Sequence, residues 1–341
     1  MPSSKRLNQL QKSLKVGGLV IDDPLSIFYL LGLNLSLGRL LITHDSATLF
    51  VDGRYIDVCR GNSPCSVAPR EAFAETAQGL SELAFDKERT RFSEFQMLEK
   101  LGIPLRPIKS PVDKMRQVKD SDEIKALSKS AHLLYGGYEF ILDILQEGMS
   151  ERDVALAFHF EMLKRGAEGL SFDPIIAFGK NSAYPHYHPS DCRLKKGECV
   201  LIDIGVMVDN YASDMTRTHL FGAESKELET LYETTLFAAK EAIALCKPGV
   251  KLGQLDEAAR RVMRAKGLEK HFLHTLGHGI GLEVHENFRI SATGIDKDLP
   301  LQEGMVFTIE PGIYIEGIGG VRHEEMVLIT GSGHKILTQK Q

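Results

Sequence analysis

Hydrophobic and polar positions alternate along the chain in blocks that predict helices and strands in turn. Leucines recur at helical spacing from Leu7 to Leu14, and a glycine pair then ends this helix. The run GGLVI and the paired runs RLLIT and ATLFVDGRY, joined through residues 44–46, predict strands. We therefore expect an N-terminal α/β domain over residues 1–115, without an evident group of catalytic residues.

A charge-dense segment at residues 111–123 precedes a long amphipathic helix and predicts the start of a second domain, residues 116–341. This domain contains an internal repeat. GMSERDVALAFHFEMLKRGAEG begins at Gly148, and GVKLGQLDEAARRVMRAKGLEK begins 101 residues later, at Gly249. Each copy follows a long helix and precedes strands. The expected fold class is α/β with α+β character, with a duplicated, pseudo-two-fold second domain.

Residues 199–222, CVLIDIGVMVDNYASDMTRTHLFG, predict two strands joined by a two-residue Asp-Asn turn. If Val208 pairs with Tyr211, Asp203 and Asp214 lie on one face of the hairpin as diagonal neighbours. Two carboxylates at such a distance repel each other. They are therefore either solvated on an exposed face or neutralised by a bound cation.

Further residues of metal-binding type follow in the second copy of the repeat. They are two acids, Glu310 and Glu324, and a histidine between glycines, His278 in GHGIG, where we expect the backbone to approach a ligand closely. One imidazole and four carboxylates favour manganese, with cobalt, iron(II) or zinc as alternatives, over a thiolate-type zinc site. Because four carboxylates carry four negative charges, the expected cofactor is a pair of divalent metal ions.

Composition excludes several classes of partner. The chain has 41 Lys and Arg against 46 Asp and Glu, so no excess of positive charge indicates nucleic acid or an anionic membrane. Its five cysteines include no CxxC pair, which favours a reducing compartment. We find no apolar run of signal-peptide or membrane-spanning length. These features predict a cytoplasmic protein with a small or peptidic partner.

Five motifs in order, PHYHPSDCRLKKGECVLIDIG, YASDMTRT, GHGIGLEVHE, GMVFTIEPGIY and GVRHEEMVLIT, resemble the pita-bread metallopeptidases. This superfamily includes aminopeptidase P, prolidase, methionine aminopeptidase and creatinase, and the resemblance is greatest to the Xaa-Pro peptidase branch. LSIFYLLG and ATLFVDGRY also resemble its creatinase/prolidase-like first domain, so the similarity covers nearly the whole chain. It implies a dinuclear site with the ligands Asp203, Asp214, His278, Glu310 and Glu324, of which Asp214 and Glu324 bridge the ions.

The resemblance also implies catalytic roles. Glu310 is expected to take a proton from an activated water and pass it to the leaving nitrogen. His285 is expected to steady the scissile carbonyl, with His186 near the substrate. The residues expected to contact substrate or orient a ligand are His274, Arg289 and Arg322. Arg289 matches a position that holds a substrate carboxylate in some prolidases, and an exposed surface arginine is an equal alternative.

Three positions differ from the pattern common in this family: Phe288 stands where proline is common, and His323 and Glu325 replace isoleucine and aspartate. None removes a ligand. Phe288 is expected to reshape the pocket wall, and strand alternation predicts that His323 faces away from the metals. Three other histidines are interpreted as ordinary core or surface residues: His188, His219 and His271.

The resemblance predicts an aminopeptidase that removes an N-terminal residue preceding proline. The alternative is prolidase, which cleaves only the Xaa-Pro dipeptide with the same metal set. A third possibility is a non-catalytic protein that keeps the fold for binding. Relatives commonly form dimers or tetramers, so we expect at least a homodimer.

Overall fold

A computed structural model of the chain describes residues 3–222 and 225–340. The chain forms two compact units, Met1–Arg116 and Gln117–Gln341. None of the described helices is both long and apolar enough to cross a membrane.

The first unit is a mixed sheet with helices. Its helices are α1 (Ser3–Ser13), α2 (Pro24–Leu31), α3 (Ile56–Asn62), α4 (Phe73–Ala77), α5 (Phe92–Glu99) and α6 (Pro111–Arg116). Its strands are β1 (Gly18–Ile21), β2 (Arg39–Ile42), β3 (Ala47–Val51), β4 (Ser66–Pro69), β5 (Leu83–Asp86) and β6 (Leu105–Ile108). The strand order is β4-β3-β2-β1-β5-β6. The expected α/β architecture is therefore confirmed.

Local sequence accounts for these elements. Residues of β1 and β2 are all buried, as expected for central strands covered on both faces. Asp23 caps α2 by accepting from the backbone N–H of Ser26 at 2.9 Å, and proline occupies the first turn of the helix. The predicted hairpin forms between β2 and β3, with Ile42 opposite Ala47.

The second unit has longer helices and several sheets. Its helices are α7 (Ser121–Ile144), α8 (Glu151–Lys164), α9 (Lys226–Ala244) and α10 (Leu252–Ala265). Its strands are β7 (Gly169–Leu170), β8 (Ile175–Phe178), β9 (Glu198–Ile204), β10 (Val206–Val208), β11 (Tyr211–Ala212), β12 (Met215–Phe221), β13 (Gly277–Gly279), β14 (Glu286–Ile290), β15 (Val306–Ile309), β16 (Gly312–Ile315), β17 (Gly319–Arg322), β18 (Glu325–Ile329) and β19 (His334–Ile336). The sheets have the orders β12-β9-β8, β11-β10-β7, β14-β13-β15-β18-β19 and β16-β17.

The internal repeat is visible in the helices. Helices α8 and α10 each contain 14 residues, and they begin 101 residues apart, at Glu151 and Leu252. The glycine after each helix, Gly166 or Gly267, has a positive φ of 95° or 69°, which glycine adopts without steric cost. A longer helix precedes each of them, and strands follow, so the duplication predicted from sequence is confirmed.

The predicted hairpin carries the first pair of acids. Asp209 and Asn210 have positive φ values of 51° and 65°. Positive φ at both central residues is typical of the tight two-residue turns that join hairpin strands. Val208 pairs with Tyr211, and Asp203 of β9 lies opposite Thr216 of β12. The register predicted from the turn is therefore confirmed.

Strand β12 also joins the two halves of the repeat. The backbone N–H of Glu324 donates to the carbonyl of Thr216 at 3.0 Å. Two residues further along β12, the Thr218 hydroxyl donates to the Arg322 carbonyl at 3.1 Å and accepts from the Arg322 N–H at 3.2 Å. These bonds place the acids of the second copy beside those of the first.

Candidate active site

The four acids sit at strand ends that face one cavity of about 430 Å³. Asp203 is near the end of β9, Asp214 directly precedes β12, Glu310 directly follows β15, and Glu324 directly precedes β18. The cavity brings together all ten site residues proposed from sequence, namely Asp203, Asp214, His278, Glu310, Glu324, His285, His186, His274, Arg289 and Arg322.

His278 directs one ring nitrogen at the acids. Its Nδ1 lies 3.2 Å from the carbonyl oxygen of Gly279, so Nδ1 carries the proton and Nε2 keeps its lone pair. Nε2 lies 3.6 Å from Asp214 Oδ2 and 3.4 Å from Glu310 Oε1. Burial lowers the pKa of His278 well below its usual value, with the neighbouring His285 as a further cause. The imidazole is therefore neutral, which is the form that binds metals.

The glycines beside His278 have a different role from the one expected. A Cβ on Gly277 would clash with the carbonyl oxygen of Thr308 on β15, and a Cβ on Gly279 would clash with that of Glu286 on β14. The missing side chains therefore let strand β13 pack between its neighbours. Our expectation that they let the backbone approach a ligand is wrong, because the glycines face these neighbouring strands.

The acids fit a bound cation. Donor atoms of Asp214, His278 and Glu324 all lie within 4.8 Å of one another. Asp203 Oδ1 is buried and has no hydrogen-bond partner among the described residues. Buried oxygens with unused lone pairs, gathered around a neutral imidazole, are the donor set that divalent ions such as manganese accept.

Burial and mutual charge repulsion both raise the pKa values of the clustered acids. Burial raises the pKa of Asp214 and of Glu310 well above their usual values, and the charge of Glu324 is the next cause for both. Burial, followed by the charge of Asp203, raises the pKa of Glu324 to about 7. The raised pKa values favour the protonated form of these carboxylates in the absence of a cation, and a bound metal would displace those protons.

Arg322 is buried and holds Asp203 in place. Its Nη2 donates to Asp203 Oδ2 at 2.6 Å, and its Nε donates to the Thr216 hydroxyl at 3.0 Å. That hydroxyl in turn donates to Glu324 Oε2 at 2.7 Å. The guanidinium thus orients acids of the cluster, and Thr216, which sequence reasoning did not single out, links Asp203 and Glu324 across the two halves of the repeat.

Tyr314 is a second site residue that sequence reasoning did not identify. Its hydroxyl accepts from Arg322 Nη1 at 2.7 Å and lies 2.9 Å from His274 Nε2. His274 Nδ1 donates to the Thr275 carbonyl at 2.8 Å, so its Nε2 accepts a hydrogen bond from the Tyr314 hydroxyl. Burial, with the Arg322 charge as the next cause, lowers the pKa of His274 to about 4, which keeps this ring neutral.

The remaining cavity residues are more accessible. The His285 ring packs edge-on against His278 with centroids 4.2 Å apart, and burial lowers its pKa. Arg289 on β14 and His186 on the loop after β8 have exposed side chains. His188, interpreted from sequence as an ordinary residue, also lines the cavity.

The three departures from the family pattern do not line this cavity. Phe288 is buried in the core beside Phe307, with ring centroids 6.2 Å apart. His323 Nε2 lies 3.1 Å from Glu325 Oε1. Neither side chain is among the described residues that line the cavity of the four acids. The interpretation that His323 faces away from the acids is confirmed.

Comparisons with known proteins agree with this geometry. Residues 125–331 match the family model "Metallopeptidase family M24", and residues 4–118 match "Creatinase/Prolidase N-terminal domain". An Xaa-Pro dipeptidase of Pyrococcus horikoshii is 34% identical over 99% of this chain and 97% of its own length.

Solved structures agree as well. An Xaa-Pro dipeptidase from Bacillus anthracis has a TM-score of 0.94 at 30% identity, over 99% of this chain and 97% of the other. An X-Pro aminopeptidase from Thermotoga maritima has a TM-score of 0.90 at 32% identity, over 98% of both chains. The chain therefore belongs to metallopeptidase family M24, the pita-bread hydrolases that use divalent metal ions, and it carries the creatinase/prolidase N-terminal domain.

Proposed function

We propose that this protein is a prolidase, which hydrolyses the peptide bond of Xaa-Pro dipeptides. The observation that carries the proposal is the single cavity in which four carboxylates and the free Nε2 of His278 meet an exposed arginine, Arg289. Within the described residues, no carboxylate pairs with the Arg289 guanidinium. It is therefore available for the free carboxylate of a dipeptide, which it could bind in a bidentate manner.

The relatives support the same choice. Xaa-Pro dipeptidases from Pyrococcus horikoshii and Bacillus anthracis match nearly the full length of this chain. The aminopeptidase predicted from sequence is thus less well supported than its alternative. It remains the second candidate, because the X-Pro aminopeptidase of Thermotoga maritima is similarly matched in structure.

We further propose a pair of manganese ions held by the ligand set Asp203, Asp214, His278, Glu310 and Glu324. When bound, such ions supply positive charge that lowers the pKa of a water molecule and polarises the scissile carbonyl. Hydrogen bonds orient two of the proposed ligands: Arg322 donates to Asp203, and the Thr216 hydroxyl donates to Glu324.

Other side chains would handle protons and substrate. Glu310 is the acid proposed to receive the proton of the attacking water and to deliver it to the proline nitrogen. His285 and His186 are proposed to donate hydrogen bonds to the carbonyl oxygen as negative charge develops there. His274, neutral and bonded to Tyr314, would form the pocket wall near Glu310, whose Oε2 lies 3.9 Å from its Nδ1.

The test is hydrolysis of Ala-Pro, Ala-Pro-Ala and Met-Ala-Ser by metal-stripped protein with and without manganese. We expect manganese-dependent cleavage of Ala-Pro, with little action on the other two peptides. Changing Arg289 to Ala is expected to lower kcat/KM for Ala-Pro by about 10- to 100-fold, the size of one lost charged hydrogen-bond pair. Preferred cleavage of Ala-Pro-Ala would establish the aminopeptidase instead, and no cleavage of any peptide would favour a binding protein.

We also propose that the protein is cytoplasmic and at least dimeric, with residues 1–115 and 116–341 as its two domains. The free state of all five cysteines supports a reducing compartment. Light scattering that finds only a 37.9 kDa species would contradict the dimer.

A further inference from the structure

A buried carboxylate outside the cavity binds the segment that carries one of the cavity histidines. Glu151, the first residue of α8, is 0% exposed. Its Oε1 accepts from the backbone N–H of Phe178 at 2.8 Å and from Asn181 Nδ2 at 2.9 Å. Its Oε2 accepts from the Tyr187 hydroxyl at 2.9 Å, and from the Ser190 N–H and hydroxyl at 3.0 and 2.7 Å. Five donors thus meet on one side chain.

These donors lie on both sides of His186. Phe178 and Asn181 precede it, whereas Tyr187 and Ser190 follow it. The His186 ring is exposed and makes no side-chain hydrogen bond within the part of the chain that the structure describes. Its place in the cavity therefore depends on the path of the backbone, and Glu151 fixes both ends of that path.

The arrangement requires a carboxylate. Every partner of Glu151 donates a hydrogen, and the N-terminus of α8 favours a negative charge at this position. Glutamine has nearly the same shape, but it must place an N–H₂ group against at least some of these donors. Such a buried mismatch leaves donors unpaired, which is unfavourable away from water. The segment would shift to relieve it.

We infer that Glu151 is a positioning residue for peptide hydrolysis, acting through His186. This inference rests on the proposed function, since it assigns Glu151 a task in the same site. Misplacement of a catalytic group by about 1 Å can lower the rate about 100-fold. A residue that only stabilised α8 would instead change the stability of the fold without a specific dependence on His186.

The test is a double-mutant cycle in the full-length, manganese-loaded protein. Glu151→Gln is expected to lower kcat/KM for Ala-Pro by about 10- to 100-fold, with unchanged metal content. In the His186→Ala background, the same change is expected to cost less than about threefold. The control is Glu161→Gln on the same helix, where the side chain pairs with Arg165 at the surface, and it should leave the rate unchanged.

A readout independent of activity separates this inference from the proposed function. In protein loaded with diamagnetic zinc instead of manganese, which would broaden the signal, we expect the histidine NMR resonance that disappears in His186→Ala to shift in Glu151→Gln and to stay in place in Glu161→Gln. An unmoved resonance, or equal losses of rate in both backgrounds, would overturn the inference even if Ala-Pro is a substrate. Conversely, a shifted resonance with no Ala-Pro cleavage by the wild type would reject only the prolidase. If Glu151→Gln does not fold, Ser190→Ala removes the 2.7 Å bond, and the same coupling to His186 is expected.

Discussion

Glu310 has two proposed tasks, as a metal ligand and as a proton carrier, and a single substitution can separate them. Glu310→Gln keeps a carbonyl oxygen for the metal but can no longer accept and release a proton. We expect kcat to fall by about 100- to 10,000-fold, while most of the metal remains bound. Metal analysis and steady-state kinetics on one preparation measure both quantities.

The control is Glu316→Gln, an exposed acid beyond strand β16, which should retain full activity and metal. Wild-type turnover in Glu310→Gln would reject the proton-transfer role. Loss of both ions together with activity would show that Glu310 acts mainly as a ligand.

At this scale, the sequence predicted residues that belong to compact motifs and missed those whose role depends on distant contacts. Asp203 and Asp214 follow from one hairpin turn and its register. Tyr314 meets His274 from 40 positions away, and Glu151 meets Ser190 from 39 positions away. The periodicity of hydrophobic residues within one element cannot predict such a contact, because the contact forms only when separate elements pack together.

At the scale of elements, a buried ion pair ties the segment before α7 to strand β14. Lys119 Nζ lies 3.7 Å from Glu286 Oε2, and both side chains are 1% exposed. Removing one member of a buried ion pair costs about 3–5 kcal/mol, because the charge that remains loses its ion-pair attraction in the protein interior. We therefore expect Lys119→Met to lower the free energy of unfolding by this amount, as measured by urea denaturation.

The matched control is Lys125→Met on α7, where the lysine is exposed and pairs with Asp122 at 3.3 Å. An exposed pair of this kind contributes at most about 1 kcal/mol. Equal losses in the two variants would show that burial of the Lys119 pair has no special weight.

Element boundaries and register were predictable because turn chemistry and periodicity are local. The Asp-Asn turn set the pairing of β10 with β11, and the duplicated helices were visible as repeated motifs. The glycines around His278 were interpreted wrongly, because their small size serves contacts with β14 and β15. The order of strands in the sheet decides which strands flank β13. The sequence near His278 does not reveal that order.

At the scale of the whole molecule, the clustered acids make the stability of the metal-free protein depend on pH. Asp214, Glu310 and Glu324 have raised pKa values in the folded state, so the folded protein binds more protons than the unfolded chain. Stability from these groups is therefore lost as pH rises through their folded pKa values, about 7 for Glu324.

The buried histidines act in the opposite direction, since their lowered pKa values favour folding as pH rises. Their contribution is complete once unfolded histidine is neutral, above about pH 6.5. Between about pH 7 and pH 8.5 we therefore expect the melting temperature of metal-free protein to fall. With manganese present, the fall should be reduced or reversed, because metal binding strengthens as the ligands lose protons. Parallel pH profiles with and without manganese would contradict the assignment of these acids as ligands.

The central claim is that two divalent ions in this cavity enable hydrolysis of Xaa-Pro dipeptides. The most direct measurement is titration of metal-stripped protein with manganese, recording bound metal and Ala-Pro hydrolysis in the same samples. We expect no hydrolysis without metal and a rise in rate that is complete at two ions per chain. Full activity of the metal-stripped protein, or binding of manganese that leaves Ala-Pro intact, would contradict it.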